Sequence, residues 1–232
     1  MCSSNAFVDE ETFKPVPEVG KLYDAVYNAA MMPWKRHVLA ESVQTCAHIF
    51  YQKSHDTQEE TLSYLANLRT RMPHHTFINR VADGKIKMIA ATEVNSVLAQ
   101  SRVGLCLSAE EGAMFASMEY LLAGLPVVST LNIGGRDMFS DPEFWLTVVD
   151  TKDSIRDAVA EMAKRHVSPA RIRARTLERV HEHRARLRSA VADATDGSVI
   201  LPENLGDQVY RTVPVWVSGP DLAAQMAVWS GR

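Results

Sequence analysis

The chain has 232 residues, a formal net charge of -3, 46% hydrophobic residues and 23% charged residues. These proportions fit a soluble globular protein with one good core, or one core plus an appendage. The net charge excludes a general nucleic-acid binder, which needs a basic surface to release counterions. Cys2, Cys46 and Cys106 contain no C-x-x-C pair, so neither a disulfide framework nor a structural zinc is expected. No apolar stretch approaches the roughly 18 residues that span a bilayer, and the N-terminus lacks a signal-peptide core. A reduced, cytoplasmic compartment is the expectation.

Residues 1 to 20 are polar, carry Pro15 and Pro17, and read as a linker. Tyr23 to Asn28 reads as a strand. Pro33 suits a helix entry, and the spacing predicts a helix from Lys35 to about Cys46. His48 to Tyr51 is a short β-like run. Thr57 and Glu60 form a capping box for a helix reaching about Arg71. Thr76 to Asn79 and Ile86 to Ala91 read as short strands, and Glu93 to Ser101 as a helix with Val94, Val97 and Leu98 on one face. Val103 to Leu107 is too apolar for a half-exposed strand and suits a parallel sheet covered on both sides, with Cys106 as a small buried hydrophobe. A helix over 112–123, strands at 126–129 and 145–149, and a helix over 151–164 opened by Thr151 or Asp153 continue the alternation. That order argues for an α/β protein with a Rossmann-like, doubly wound parallel sheet.

From Ser168 to Arg188 runs an Arg-rich helical segment with a thin apolar stripe of Ile172, Leu177, Val180 and Leu187. It reads as a solvated helix on the domain edge, with peripheral contact to an anionic membrane face as the alternative. The remainder to residue 232 is a tail without periodicity until Val213, and Trp216 and Trp229 suggest that it docks somewhere apolar. His74, His75, His181 and His183 lack zinc-site spacing and read as surface residues. Met31, Met32, Met114 and Met118 read as packing residues.

In open α/β sheets ligands bind beyond the carboxyl ends of the strands. Three loops fit that position: Ala29 to Lys35, Ser108 to Ala113 and Thr130 to Arg136. They and the helix that follows offer the cations Lys35 and Arg136, the carboxylates Glu111 and Glu119, and the glycines Gly112, Gly134 and Gly135. A cation beside a helix start suits a diphosphate. Carboxylates beside it suit sugar hydroxyls, because ionised Asp and Glu only accept while sugars are dense in donors. Ser108 reads equally as a helix cap or a ligand contact, and Gly134-Gly135 as a turn or part of the site.

Glu111-x7-Glu119 followed by Ala-Gly-Leu-Pro-Val-Val, with Gly134-Gly135 downstream, resembles the donor-binding C-terminal domain of group 1 (family 4) glycosyltransferases of the GT-B fold. Residues 5–15 resemble the interdomain linker of those enzymes, and Tyr27 to Lys35 the first strand and loop of their C-terminal half. The resemblance covers roughly residues 5 to 165. It implies a linker over 1–20 and a nucleotide-sugar domain over 21–167; the Arg-rich helix and tail over 168–232 lie outside it. Glu111 would meet the donor sugar hydroxyls and Glu119 the ribose. The loop Gly112, Ala113, Met114 and the N–H groups of Phe115 and Ala116 would hold the diphosphate, and Lys35 would neutralise it as it leaves.

The resemblance implies a retaining, metal-independent transferase with no resident cofactor. An N-terminal acceptor domain would precede Met1 and is missing from this chain, and the Arg-rich helix could touch the inner face of a membrane. Two positions depart from the family pattern. Ala30 stands where an Arg is usual, and Met114 where a Gly is usual; Arg36 or Arg136 would have to replace the lost cation. The alternative is a catalytically degenerate sugar-nucleotide-binding or protein-interaction domain. A GT-B sugar-nucleotide epimerase and a flavodoxin-like domain are more distant readings.

Overall fold

A computed structural model describes residues 2–53 and 57–203 of the chain. The described residues form two compact units: residues 10–177, and residues 2–9 with 178–203.

In the larger unit, β1 (Tyr23–Ala30) and β2 (Cys46–Tyr51) pair in parallel from Ala25↔Cys46 to Ala30↔Tyr51. The predicted helix between them is absent. Two 3-10 turns, Pro33–Lys35 and His37–Ala40, take its place, broken at Arg36, which is left-handed with φ 54°. Three side-chain bonds hold Arg36 there: Nε donates to the Leu107 carbonyl at 2.6 Å, Nη2 to Thr130 Oγ1 at 2.7 Å and Nη1 to Asp150 at 2.8 Å. These long-range ties override a helical spacing that local propensity would favour.

α1 (Gln58–Arg71) opens with the expected reciprocal box, Thr57 accepting from the Glu60 N–H. β3 (Thr76–Phe77) adds to the sheet beside β2. The strand expected over 86–91 stops at residue 86. Asp83 and Gly84, both at positive φ, turn β5 (Lys85–Ile86) back on β4 (Val81–Ala82) as a separate antiparallel pair. This is the Asp-Gly hairpin signal. The Glu93 carboxylate then accepts the Ala90 N–H at 2.9 Å and starts α2 (Ala91–Ala99).

β6 (Ser101–Cys106), α3 (Phe115–Leu122), β7 (Val127–Thr130), β8 (Trp145–Val148) and α4 (Lys152–Lys164, capped by Thr151) complete the alternation. The six-stranded sheet is parallel throughout, in the order β3-β2-β1-β6-β7-β8. β7 is wholly buried and β6 nearly so, as expected of strands covered on both faces. Met31, Phe50, Leu65, Leu68 and Met72 form a core between α1 and β2. Of the four methionines read as packing residues, Met31, Met114 and Met118 are buried.

α5 (Pro169–Ala194) follows the Arg-rich segment. Part of that segment is structural. Arg173 donates to the carbonyls of Glu10, Phe13 and Leu122 at 2.6 to 2.9 Å, all within the larger unit. In the smaller unit Arg184 donates to the Ala6 carbonyl at 2.8 Å, and the Ser3 N–H donates to His183 Nδ1 at 3.2 Å. His183 and His75 are therefore buried, not surface residues. Trp216 and Trp229 lie outside the described residues.

Candidate functional site

The strand order reverses where β1 and β6 meet, and consecutive crossovers leave in opposite directions there. Such a switch point opens a crevice at the carboxyl ends of the two strands. Here the opening has identifiable causes. The β1–β6 pairing ends at Val26↔Gly104. Beyond it, the Asn28 N–H donates to the Tyr120 hydroxyl of α3 at 2.6 Å instead of to a neighbouring strand. Gly104 makes room for that ring, since a Cβ there would lie 2.3 Å from it.

The expected residues flank this opening. Lys35 follows β1, and its backbone carbonyl accepts from the buried Tyr27 hydroxyl. Its ammonium is paired with the Glu111 carboxylate in the loop after β6, both side chains being largely shielded from water. Burial lowers the Lys35 pKa, and Glu111 opposes that shift by favouring the charged form. Glu119, one turn into α3, faces the other strand, where Asn28 Nδ2 donates to its Oε2 at 2.8 Å. Burial lifts its carboxyl to about 7, a rise that the Asn28 hydrogen bond partly offsets. Tyr51, at the end of β2, feels both carboxylates: its pKa is raised first by burial, then by the charges of Glu111 and Glu119.

The Glu111 loop is held by close backbone contact. Glu111 N–H donates to the Ile133 carbonyl at 3.2 Å, and Ile133 N–H to the Ala109 carbonyl at 2.8 Å. Gly134, at φ 137°, is the neighbour that permits this approach: an added Cβ would lie 2.1 Å from the Glu111 carbonyl oxygen. It therefore shapes the site through the backbone. Gly135 stands near Gly112, whose own surroundings are open. α3 begins at Phe115, later than expected, with Met114 buried at the cap position and making no side-chain cap. Ser108 is fully buried seven residues before this start, so it does not cap the helix. The Phe115 and Ala116 N–H groups open the helix, where backbone donors lack intrahelical partners.

Two expected substitutes for the missing cation are otherwise engaged. Arg136 is fully buried, donating to Ser129 Oγ, to the carbonyls of Ser108 and Thr130, and to Asp137. Arg36 is spent on the Leu107, Thr130 and Asp150 contacts described above. Ala30 is itself fully buried. A cation that sequence reasoning missed is Lys53, just past β2: its Nζ and that of Lys35 lie 4.6 and 4.3 Å from the centre of the Trp34 ring. Asn28 and Tyr51 lie in the carboxyl-end halves of β1 and β2 and Lys53 just past β2, and that placement was their one signal.

No protein-family model matches the chain, and no curated protein matches it. Solved structures do. The C-terminal domain of a glycosyl transferase group 1 family protein (LpcC) from Francisella tularensis superposes with TM-score 0.52 at 16% identity, covering 74% of this chain and 95% of that one. HepE from Anabaena, in complex with UDP and glucose, gives TM-score 0.61 at 14% identity, over 79% of this chain and 54% of that one. Sucrose-phosphate synthase from Thermosynechococcus elongatus gives 0.58 at 14% identity, over 98% and 52%. The chain has the fold of a GT-B C-terminal domain. It spans nearly all of that isolated domain and about half of the two longer chains.

Proposed function

We propose that the chain binds a nucleoside-diphosphate sugar in the crevice between β1 and β6 and serves as the donor half of a glycosyltransferase. The observation that carries this reading is the Lys35–Glu111 pair after β1 and β6, with Glu119 of α3 bonded to Asn28 of β1 beside it. The Lys35–Glu111 pair holds both groups in place without ligand. A bound donor would separate their roles: diphosphate oxygens take the ammonium, and sugar hydroxyls donate to the carboxylate. Glu119, desolvated and near neutrality, suits the ribose hydroxyls, and the N–H groups of Phe115 and Ala116 suit a phosphate. Two of the superposing structures, HepE and a trehalose-6-phosphate enzyme from E. coli, carry UDP or a UDP-sugar.

In this reading the bond from the sugar to the diphosphate breaks as one to an acceptor hydroxyl oxygen forms, and the hydroxyl proton passes to the leaving diphosphate. Lys35 and the helix start stabilise the charge that develops, doing so without a metal ion. Lys53 supplies the second positive charge that neither Arg36 nor Arg136 can deliver. Retention at the transferred carbon is carried over from the resemblance, and acceptor recognition belongs to a partner domain. Ala30 and the engaged arginines also favour a second reading, a binding domain without turnover.

Titration calorimetry with UDP and UMP tests the diphosphate subsite. Lys35→Ala and Lys53→Ala should each weaken UDP by about tenfold or more while changing UMP little, the size expected for loss of one charge-assisted contact. Equal weakening of both ligands, or none, would place the diphosphate elsewhere.

A further inference from the structure

On the amino side of β2, away from the crevice, Cys46, His48 and His75 each present a ligand-type atom, and these atoms lie within 4.8 Å of one another. Cys46 and His48 are two apart on the strand, so their side chains share one face. His75 reaches them from the segment after α1. Cys46 and His48 are fully buried and His75 nearly so.

The hydrogen bonds have a direction. His75 Nε2 lies 2.9 Å from the Val43 carbonyl, which can only accept, so that nitrogen carries the proton and Nδ1 holds a lone pair. His75 Nδ1 lies 3.0 Å from His48 Nε2, which must then donate. The chain of donors ends at His48 Nδ1, a wholly buried acceptor with no partner. An unmet buried polar atom of this kind is uncommon and calls for a cause. A carbonyl bonded to the far nitrogen of an imidazole is also the outer contact that fixes ligating histidines.

We propose that Cys46, His48 and His75 bind a thiophilic d10 cation, Zn2+ or Cu+, as a site that braces β2 against the segment after α1. One thiolate and two imidazoles form a soft donor set suited to these ions. As the metal binds, the Cys46 thiol proton passes to buffer and the His48 proton moves from Nε2 to Nδ1, so that His48 Nε2 and His75 Nδ1, 3.0 Å apart, both turn a lone pair to the ion. His37, whose ring centre lies 5.8 Å from that of His48, stands on the same side and is fully buried. This group was not legible beforehand, because Cys46-x-His48 and a distant His75 match no zinc spacing.

The test uses the full chain, purified with chelator and then titrated. Competition with a chromophoric zinc chelator and with a Cu+-specific chelator should each be able to reveal one bound equivalent, and the tighter of the two names the ion. Co2+ should develop a thiolate-to-cobalt charge-transfer band. Cys46→Ser should abolish that band, and His75→Gln should weaken binding 10- to 100-fold. Cys2→Ser/Cys106→Ala, which leaves Cys46 as the one thiol, should keep the band; this variant decides the matter if Cys46→Ser does not fold. No stoichiometric binding, a missing charge-transfer band, or binding unchanged in His75→Gln would overturn the proposal.

Discussion

Burial raises Glu119 from an ordinary carboxylate value to about 7, so the folded chain disfavours its ionised form relative to the unfolded chain. The stability contributed by its protonated form is fully present below the unfolded pKa near 4.5, and it is lost as pH rises through about 7. Glu119→Gln keeps an acceptor for Asn28 and removes the titration. It should raise Tm at pH 8, by the equivalent of about 2 to 3 kcal/mol, and change it little at pH 5, as calorimetry can check. An equal change at both pH values would mean that the carboxyl is not desolvated. Hydroxyl donors favour the carboxylate, so UDP affinity should rise from pH 6 to pH 8 in the wild type and stay flat in Glu119→Gln. At this scale the sequence carried the chemistry of Glu111, Glu119 and Lys35 in their spacing. It could not carry Arg136, because a guanidinium in a Gly-rich loop reads as a ligand contact whether it points outward or, as here, into backbone carbonyls. Asn28 was equally silent: its partner Glu119 is remote in sequence, and a polar residue in a strand has many ordinary uses.

Elements position these side chains through backbone contacts as much as through packing. Gly134→Ala should force the Glu111 loop away from its carbonyl contact. The expected loss is about 1 to 3 kcal/mol of stability, together with at least tenfold weaker UDP-glucose binding by titration calorimetry. Gly112→Ala, with open space around it, is the control for stability and should unfold like the wild type; equal losses of stability at the two positions would deny Gly134 its role. Tyr120→Phe should leave the Asn28 N–H without an acceptor, costing about 1 to 3 kcal/mol in chemical denaturation; an unchanged midpoint would show that the N–H is otherwise satisfied. Helix starts were legible wherever a side chain caps them, as at Thr57 and Thr151. The Asp83-Gly84 turn also left a readable signal. The region from Lys35 to Cys46 was not legible, because the left-handed backbone of Arg36 is fixed by partners just past β6, on β7 and beyond β8. α3 starts late for a related reason: the backbone of residues 110 and 111 is paired with Ile133.

For the molecule as a whole, the strand order carries the argument. A parallel sheet whose strand order reverses between β1 and β6 has a crevice at that point, and the chain places its buried cation and carboxylates beside it. The alternation of apolar strands with capped helices made the doubly wound class legible from sequence, and the superpositions agree with it at low identity. The most direct test is titration of the isolated chain and two variants with UDP and UDP-glucose. Glu119→Ala should weaken both ligands by about tenfold or more, as expected for a lost charge-assisted contact to ribose, whereas Glu111→Gln should leave UDP unchanged and remove only the added affinity from glucose. Absence of UDP binding in the wild type, or parallel losses for both ligands in Glu111→Gln, would contradict a sugar nucleotide lying across these two carboxylates.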